Sequence, residues 1–168
     1  PFRSGTTFLQ ELLAAPPHRR TMTLFESVVP EVSLLWSWCL LPLFRFITWC
    51  AGSVNEFHRM PWDWNFPGED DVALHGYQCA ADVIRAFQFP SEHAQWLDRF
   101  LLLADDKDRQ RWQRGHRHLF KVVAWKARGR QVVLKSPPNS ARIAQLHALY
   151  PGARFIHIHR DPHQVLPS

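Results

Sequence analysis

Apolar positions recur at helical spacing near the start of the chain, where Phe8, Leu9, Leu12 and Leu13 are broken by Gln10 and Glu11. This pattern predicts a helix that begins at Thr6 or Thr7 and stops before Pro16-Pro17. The most apolar stretch is VSLLWSWCLLPLFRFITWCAG at 32–52. Its length approaches a membrane span, but Pro42 and Arg45 lie near its middle and Glu31 precedes it, so the expectation is a broken pair of buried or partly exposed helices. Residues 55–76 carry Pro61, Pro67, Gly68 and Gly76 among aromatics and acids and read as a long ordered loop of the kind that forms lids. Helical periodicity returns at 77–87, 92–103 and 109–126, the last a basic helix with Trp112, Leu119, Phe120, Val123 and Trp125 as its apolar stripe.

The period then changes. QVVLK at 131–135 is a β-branched run ending in a lysine, SARIAQLHALY at 140–150 is amphipathic, and ARFIHIH at 153–159 reads as a second strand. Strand, helix and strand at this spacing form a βαβ unit with a right-handed crossover, hence a parallel sheet. Lys135, Ser136 and Arg160 then emerge at the carboxyl edge, where open α/β sheets bind ligands.

Composition narrows the classes. The chain has 168 residues, 46% of them hydrophobic, which suits one domain with a core and excludes a disordered tail. Its net charge of +5 fits an anionic ligand, a nucleic acid or an acidic membrane surface equally well. Cys39, Cys50 and Cys79 stand far apart, which predicts buried thiols rather than a disulfide framework or a zinc knuckle. The closest histidine pairs, His116 with His118 and His157 with His159, lack partners at a ligand spacing, so no metal site is expected. No signal or transit peptide is visible in a chain that opens directly on a loop.

That loop, Arg3-Ser4-Gly5-Thr6-Thr7, combines a glycine that permits close backbone approach with three hydroxyls, and the helix N-terminus faces it. Unpaired amides, the helix dipole and the Arg3 guanidinium together make an anion site suited to a phosphate-like group. A capped helix, with Ser4 or Thr6 at the N-cap, accounts for the same residues. No lysine precedes Thr6 or Thr7, which disfavours an ordinary P-loop kinase or ATPase.

RSGTT at the start, LKSP in the middle and HRDPHQVLPS at the end, in this order around the βαβ unit, resemble the sulfotransferases that use 3′-phosphoadenosine 5′-phosphosulfate (PAPS). The resemblance covers nearly the whole chain and lies closer to the tyrosylprotein and bacterial-type branch than to the cytosolic histidine-base branch. It implies a P-loop-type three-layer α/β fold with a parallel sheet and a helix-rich insertion between the first helix and the second conserved strand. It also implies that Arg3, Ser4, Gly5, Thr6 and Thr7 hold the 5′-phosphosulfate, that Arg160 and Ser168 hold the 3′-phosphate, and that Lys135 stands beside the reacting group. A cation there neutralises charge gathering on the bridging oxygen as the sulfuryl group leaves.

The cytosolic branch places its histidine base where this chain has Pro137. The related branches use a glutamate shortly after the first helix, which corresponds to Glu26, with Glu69 and His75 as reserves. Glu26 is therefore the expected general base; a first-turn glutamate opposing a helix dipole is its other reading. The implied reaction is in-line sulfuryl transfer from PAPS, as co-substrate, to a hydroxyl or amine, with no metal and with positioning and charge stabilisation as its means.

Because that family has a strand before the loop and more chain after the 3′-phosphate serine, residues 1–168 are expected to be a single sulfotransferase domain incomplete at both ends. Expected partners are a small-molecule, glycan or lipid acceptor and a membrane surface, with no nucleic acid, in a cytoplasmic protein. Aromatic residues between positions 32 and 66 point to an apolar acceptor pocket. Two rivals are a kinase-like phosphotransferase and a basic nucleic-acid-binding fragment using the run at 109–130, which periodicity reads instead as a packed helix with one solvated face.

Overall fold

Gly5 sits at the N-cap of the first helix with φ +85, in the left-handed region that a glycine enters without a Cβ penalty. Neither Ser4 nor Thr6 takes that place. The computed structural model describes residues 5–50, 54–55, 60–61, 63–77, 91, 99, 101–159 and 161. Helix α1 runs Thr6–Ala14 and ends, as its pattern predicts, before Pro16. The chain then turns into β1, Arg19–Thr21, which pairs in parallel with β4, Gln131–Val133, in the register Arg19 to Gln131, Arg20 to Val132 and Thr21 to Val133.

Alternation along β1 distributes its side chains between two layers. Thr21 accepts a hydrogen bond from Gln10 Nε2 of α1 at 2.5 Å, while its neighbour Arg20 is engaged with Glu26 and so serves the other face. That other face is built by α2, Leu24–Val28; α4, Asp70–Gly76; and α5, Asp106–Ala127. The fold is therefore mixed α/β, with a parallel pair of strands between helical layers. A smaller antiparallel pair joins β2, Val54–Asn55, to β3, Met60–Pro61.

The core lies between α4, α5 and α6, Ile143–Leu149. Met22, Ala73, Leu74, Leu103, Trp112, Leu119, Val123 and Leu146 form one buried cluster. The basic helix α5 supplies its centre because its apolar stripe turns inward, leaving Arg111, Arg114, Arg117 and Lys121 in solvent. Asp105 caps α5 by accepting from the amides of Lys107 and Asp108, and Arg128 and Gly129 close it in left-handed geometry.

Four expectations change. Residues 32–50 form one helix, α3 (Val32–Cys50), and not a broken pair. Pro42 is accommodated because packing on both sides holds the axis: Ser33 and Ser37 meet Lys126, while Phe44 lies edge-on to Phe25 and Trp64 at 5.4 and 5.0 Å. Cys50 is exposed and Cys39 half-buried, since α3 turns most of its surface outward; Cys79 lies outside the described residues. The loop at 55–76 contains β3 and α4. Residues 153–159 form no strand. β4 pairs with β1, and among the described residues no further strand offers this segment a ladder, so Phe155 and Ile156 stay exposed. The helices expected at 77–87 and 92–103 fall largely outside the described residues.

Candidate functional site

The carboxyl ends of parallel strands β1 and β4 share one edge, and the N-terminus of α1 comes to the same edge. Lys135, two residues past β4, donates from Nζ to Thr7 Oγ1 at 3.4 Å and forms an ion pair with Glu69. The sequence positions 7, 69 and 135 thus converge on one point. Unpaired helical amides behind Gly5, the α1 dipole and the Lys135 ammonium favour an anion there. Arg3, Ser4, Arg160 and Ser168 lie outside the described residues.

Glu69 reaches this point because Gly68 brings its backbone hard against Met22 and Thr23, just past the end of β1. The Gly68 amide donates to Met22 O at 2.8 Å, and Gln10 Nε2 donates to Gly68 O at 3.2 Å. A Cβ on Gly68 would stand 2.5 Å from Thr23 O, so only glycine permits the approach.

Glu26 occupies a different setting. It is the N3 residue of a capping box: Thr23 Oγ1 accepts from the Glu26 amide at 3.3 Å, and Glu26 Oε2 accepts from the Thr23 amide at 3.1 Å. Its Oε1 also pairs with Arg20 and, at 2.6 Å, with Lys126 Nζ. Burial pushes its carboxyl up, but the Lys126 hydrogen bond, the Arg20 charge and the Thr23 amide together hold it below the ordinary carboxylate value. Among the described residues, no hydrogen bond or ion pair joins Glu26 to Lys135. His75 sits in the last turn of α4, about 9 Å along the helix from Glu69 at 1.5 Å per residue.

Sequence reasoning missed a buried polar cluster directly behind Lys135. Asp71 accepts from Arg142 Nη1 at 2.8 Å and Ser136 Oγ at 3.2 Å, and Asp70 accepts from Asn139 Nδ2 at 2.8 Å. His116 links Asp70 at 3.3 Å to the Tyr150 hydroxyl at 2.9 Å, and the Arg142 guanidinium lies over the Trp112 ring at 5.5 Å. Arg142 is fully buried. Burial, above the opposing charge of Arg142, pushes Asp71 up to about 6, with Asp70 adding to the rise. Asp70 is also pushed up by burial, yet the hydrogen bond and charge of His116, with Asn139, bring it below its ordinary value. Burial likewise raises the Tyr150 hydroxyl to about 12. The signal available in sequence was the adjacent pair Asp70-Asp71 with an arginine 71 positions on, in the amphipathic segment 140–150, too common a pattern to separate from a solvated face.

Among the described residues, no group of three His, Cys, Asp or Glu side chains is placed to hold a metal ion. Among the described residues one helix, α3, is long and apolar enough to cross a membrane. Its inward face carries Ser33, Ser37 and Thr48, which bond to Lys126 and Trp64, and its outward face carries Leu35, Trp36, Trp38, Phe46, Ile47 and Trp49.

A profile described as the Sulfotransferase family matches residues 1–168. The omega-hydroxy-beta-dihydromenaquinone-9 sulfotransferases of Mycobacterium bovis and Mycobacterium tuberculosis are each 30% identical to the chain over 171 residues. Those matches take in 99% of the chain, which spans 42% of the length of either relative. No solved structure matches it.

Proposed function

Because the chain belongs to the sulfotransferase family, we propose that the protein containing it transfers a sulfuryl group from PAPS to a hydroxyl of a lipid-like acceptor. The observation that carries the reading is the convergence of Lys135 on Thr7 at the N-terminus of α1. A sulfuryl donor seated there meets backbone amides from Gly5 onward, the hydroxyls of Thr6 and Thr7, and one ammonium. Arg3 and Ser4 complete the 5′ side in this reading, and Arg160 and Ser168 take the 3′-phosphate. Charge that develops on the bridging oxygen as the S–O bond breaks is met by Lys135.

Two carboxylates compete for the acceptor proton. Glu26, expected from the sequence, is kept ionised by two cations that also occupy it. Glu69 is one-third exposed and lies against Lys135 at the edge where the donor would sit, and we place the proton on it. Glu26 stands as the rival base, acting from the acceptor side.

Two observations support the acceptor class. The matched mycobacterial relatives are named for a hydroxylated menaquinone derivative, and the outward face of α3 offers Trp, Phe and Leu side chains suited to a prenyl or acyl chain. Calorimetric titration of adenosine 3′,5′-bisphosphate into the full-length protein tests the donor site. Micromolar binding weakened by Arg3→Ala and by Arg160→Ala is expected; equal binding by both variants overturns the two-ended site. Sulfate transfer to a long-chain alcohol or hydroxylated quinone, but not to small polar acceptors, is the expected outcome of an acceptor screen.

A further inference from the structure

The segment from Lys135 to Arg142 is tied at each end to consecutive residues of a single helix N-terminus. Glu69, the N-cap of α4, pairs with the Lys135 ammonium. Asp71 takes Ser136 Oγ, the next residue along, and closes on Arg142 Nη1 at the far end. Asp70 takes Asn139 Nδ2 in the middle. Between these ties run Pro137 and Pro138 in a 3₁₀ turn, Pro137–Ala141, whose fixed φ leaves the segment little freedom of its own.

The ties of Asp71 to Ser136 and Arg142 are buried. Asp70, Asp71, Ser136 and Arg142 are all shut off from solvent, and both carboxylates lie in the first turn of α4, where the helix dipole favours them. Further support comes from His116 of α5 on the second side of Asp70, fixed in turn by Tyr150 at the end of α6. An ion pair serving stability alone needs no particular neighbour. Here each of the three carboxylates has a partner in the eight-residue segment that begins at Lys135, with His116 as a second partner of Asp70.

We infer that Glu69, Asp70 and Asp71 form a clamp that sets the place of the Lys135 ammonium at the α1 N-terminus, with Asp71 and Arg142 as positioning residues for the donor site. Loosening Asp71 frees Ser136, and with it the ammonium one residue earlier. The inference rests on the reading of that edge as the site of an adenosine 3′,5′-bisphosphate-containing donor.

The test is a binding cycle on the full-length protein, with adenosine 3′,5′-bisphosphate as the probe and Lys135→Ala, Asp71→Asn and the double variant as its corners. Lys135→Ala is expected to weaken binding about tenfold, the worth of one charge-assisted hydrogen bond. Asp71→Asn is expected to weaken it by roughly fivefold to tenfold, and the double variant by no more than about twofold beyond the worse single change, because both act through one ammonium. In ¹⁵N spectra the Lys135 ammonium resonance, identified by its loss in Lys135→Ala, is expected to shift in Asp71→Asn.

Losses that multiply, or an Asp71→Asn protein that binds as wild type, overturn the clamp. If Asp71→Asn does not melt cooperatively, Ser136→Ala takes its corner. That variant is expected to lose about twofold to threefold in the wild-type background and nothing in Lys135→Ala, and equal losses in both backgrounds overturn the clamp as well. A wild-type protein that does not bind the nucleotide defeats the functional reading itself, which is a different result from a failed cycle.

Discussion

Glu26 and Glu69 each have a lysine partner, and their surroundings give them different work. Glu26 closes a capping box and is gripped by Arg20 and Lys126 in a nearly buried pocket. Glu69 faces Lys135 across a partly open edge, at the foot of a helix whose own N-terminus lies beside it. A carboxylate gripped by two cations in a nearly buried pocket organises the fold around it, while one that is a third exposed at the strand edge stays accessible to an arriving ligand. Residue type and distance from the first helix do not separate the two. What does is the number of cations already spent on each, and whether it lies in a nearly buried pocket or at the partly open carboxyl edge.

The comparison breaks most sharply under substitution. Glu69→Gln is expected to reduce sulfuryl transfer by roughly 10²- to 10⁴-fold, the span of general base catalysis, while leaving the melting temperature nearly unchanged. If Glu26→Gln causes the transfer loss and Glu69→Gln does not, the assignment of the base reverses. Next in size is Arg142→Met, which strands Asp71 in a buried site and is expected to cost about 3–5 kcal/mol in urea denaturation. Joint replacement of Arg142 and Asp71 by apolar residues should recover much of that loss, since it leaves no buried charge unpaired.

The response to pH sharpens the contrast in sign. Because the cations beside Glu26 hold its carboxyl below the ordinary value, its contribution is present above about pH 4.5 and is lost as pH falls through the lowered folded value. Asp71 behaves oppositely. With a folded value near 6 against an ordinary 3.8, the native state binds the proton more tightly, so its contribution to stability declines as pH rises between those values. Denaturation curves from pH 4 to 7 should show that Asp71→Asn removes this decline and Glu26→Gln does not. The smallest effect is expected of Thr23→Ala, which loses one side-chain cap and about 1 kcal/mol, measurable as a modest drop in melting temperature with the Lys135 edge untouched.

Much of the site was legible because local rules govern it. The turn at Gly5, the length of α1, the basic stripe of α5 and the strand run ending near Lys135 all follow from glycine, proline and hydrophobic period. The rest depended on partners far away in sequence. β1 escaped notice because Arg19, Arg20 and Thr21 carry no apolar alternation; the strand exists because Gln131–Val133 lies beside it. The reverse happened at residues 153–159, where a strand-like pattern found no ladder among the described residues and remained without regular structure and mostly exposed. In α3 the inversion is clearer still. Hydroxyl side chains face inward to meet Lys126 and Trp64, contacts that the sequence pattern, read as a broken pair of buried or partly exposed helices, did not reveal.

By itself the sequence determined the motif order, and with it the family resemblance, together with the anion-ready loop and the helix that follows it. Glycine freedom, proline stops and amphipathic period act within a few residues and need no tertiary context. Only the tertiary structure decided that Lys135 meets Thr7 and Glu69, that Glu26 is committed to two cations, and that Asp70 and Asp71 grip the segment behind the lysine. Those outcomes turn on which charges share a face of the sheet after folding, and burial, which alone makes such pairings exclusive, is a property of the assembled layers.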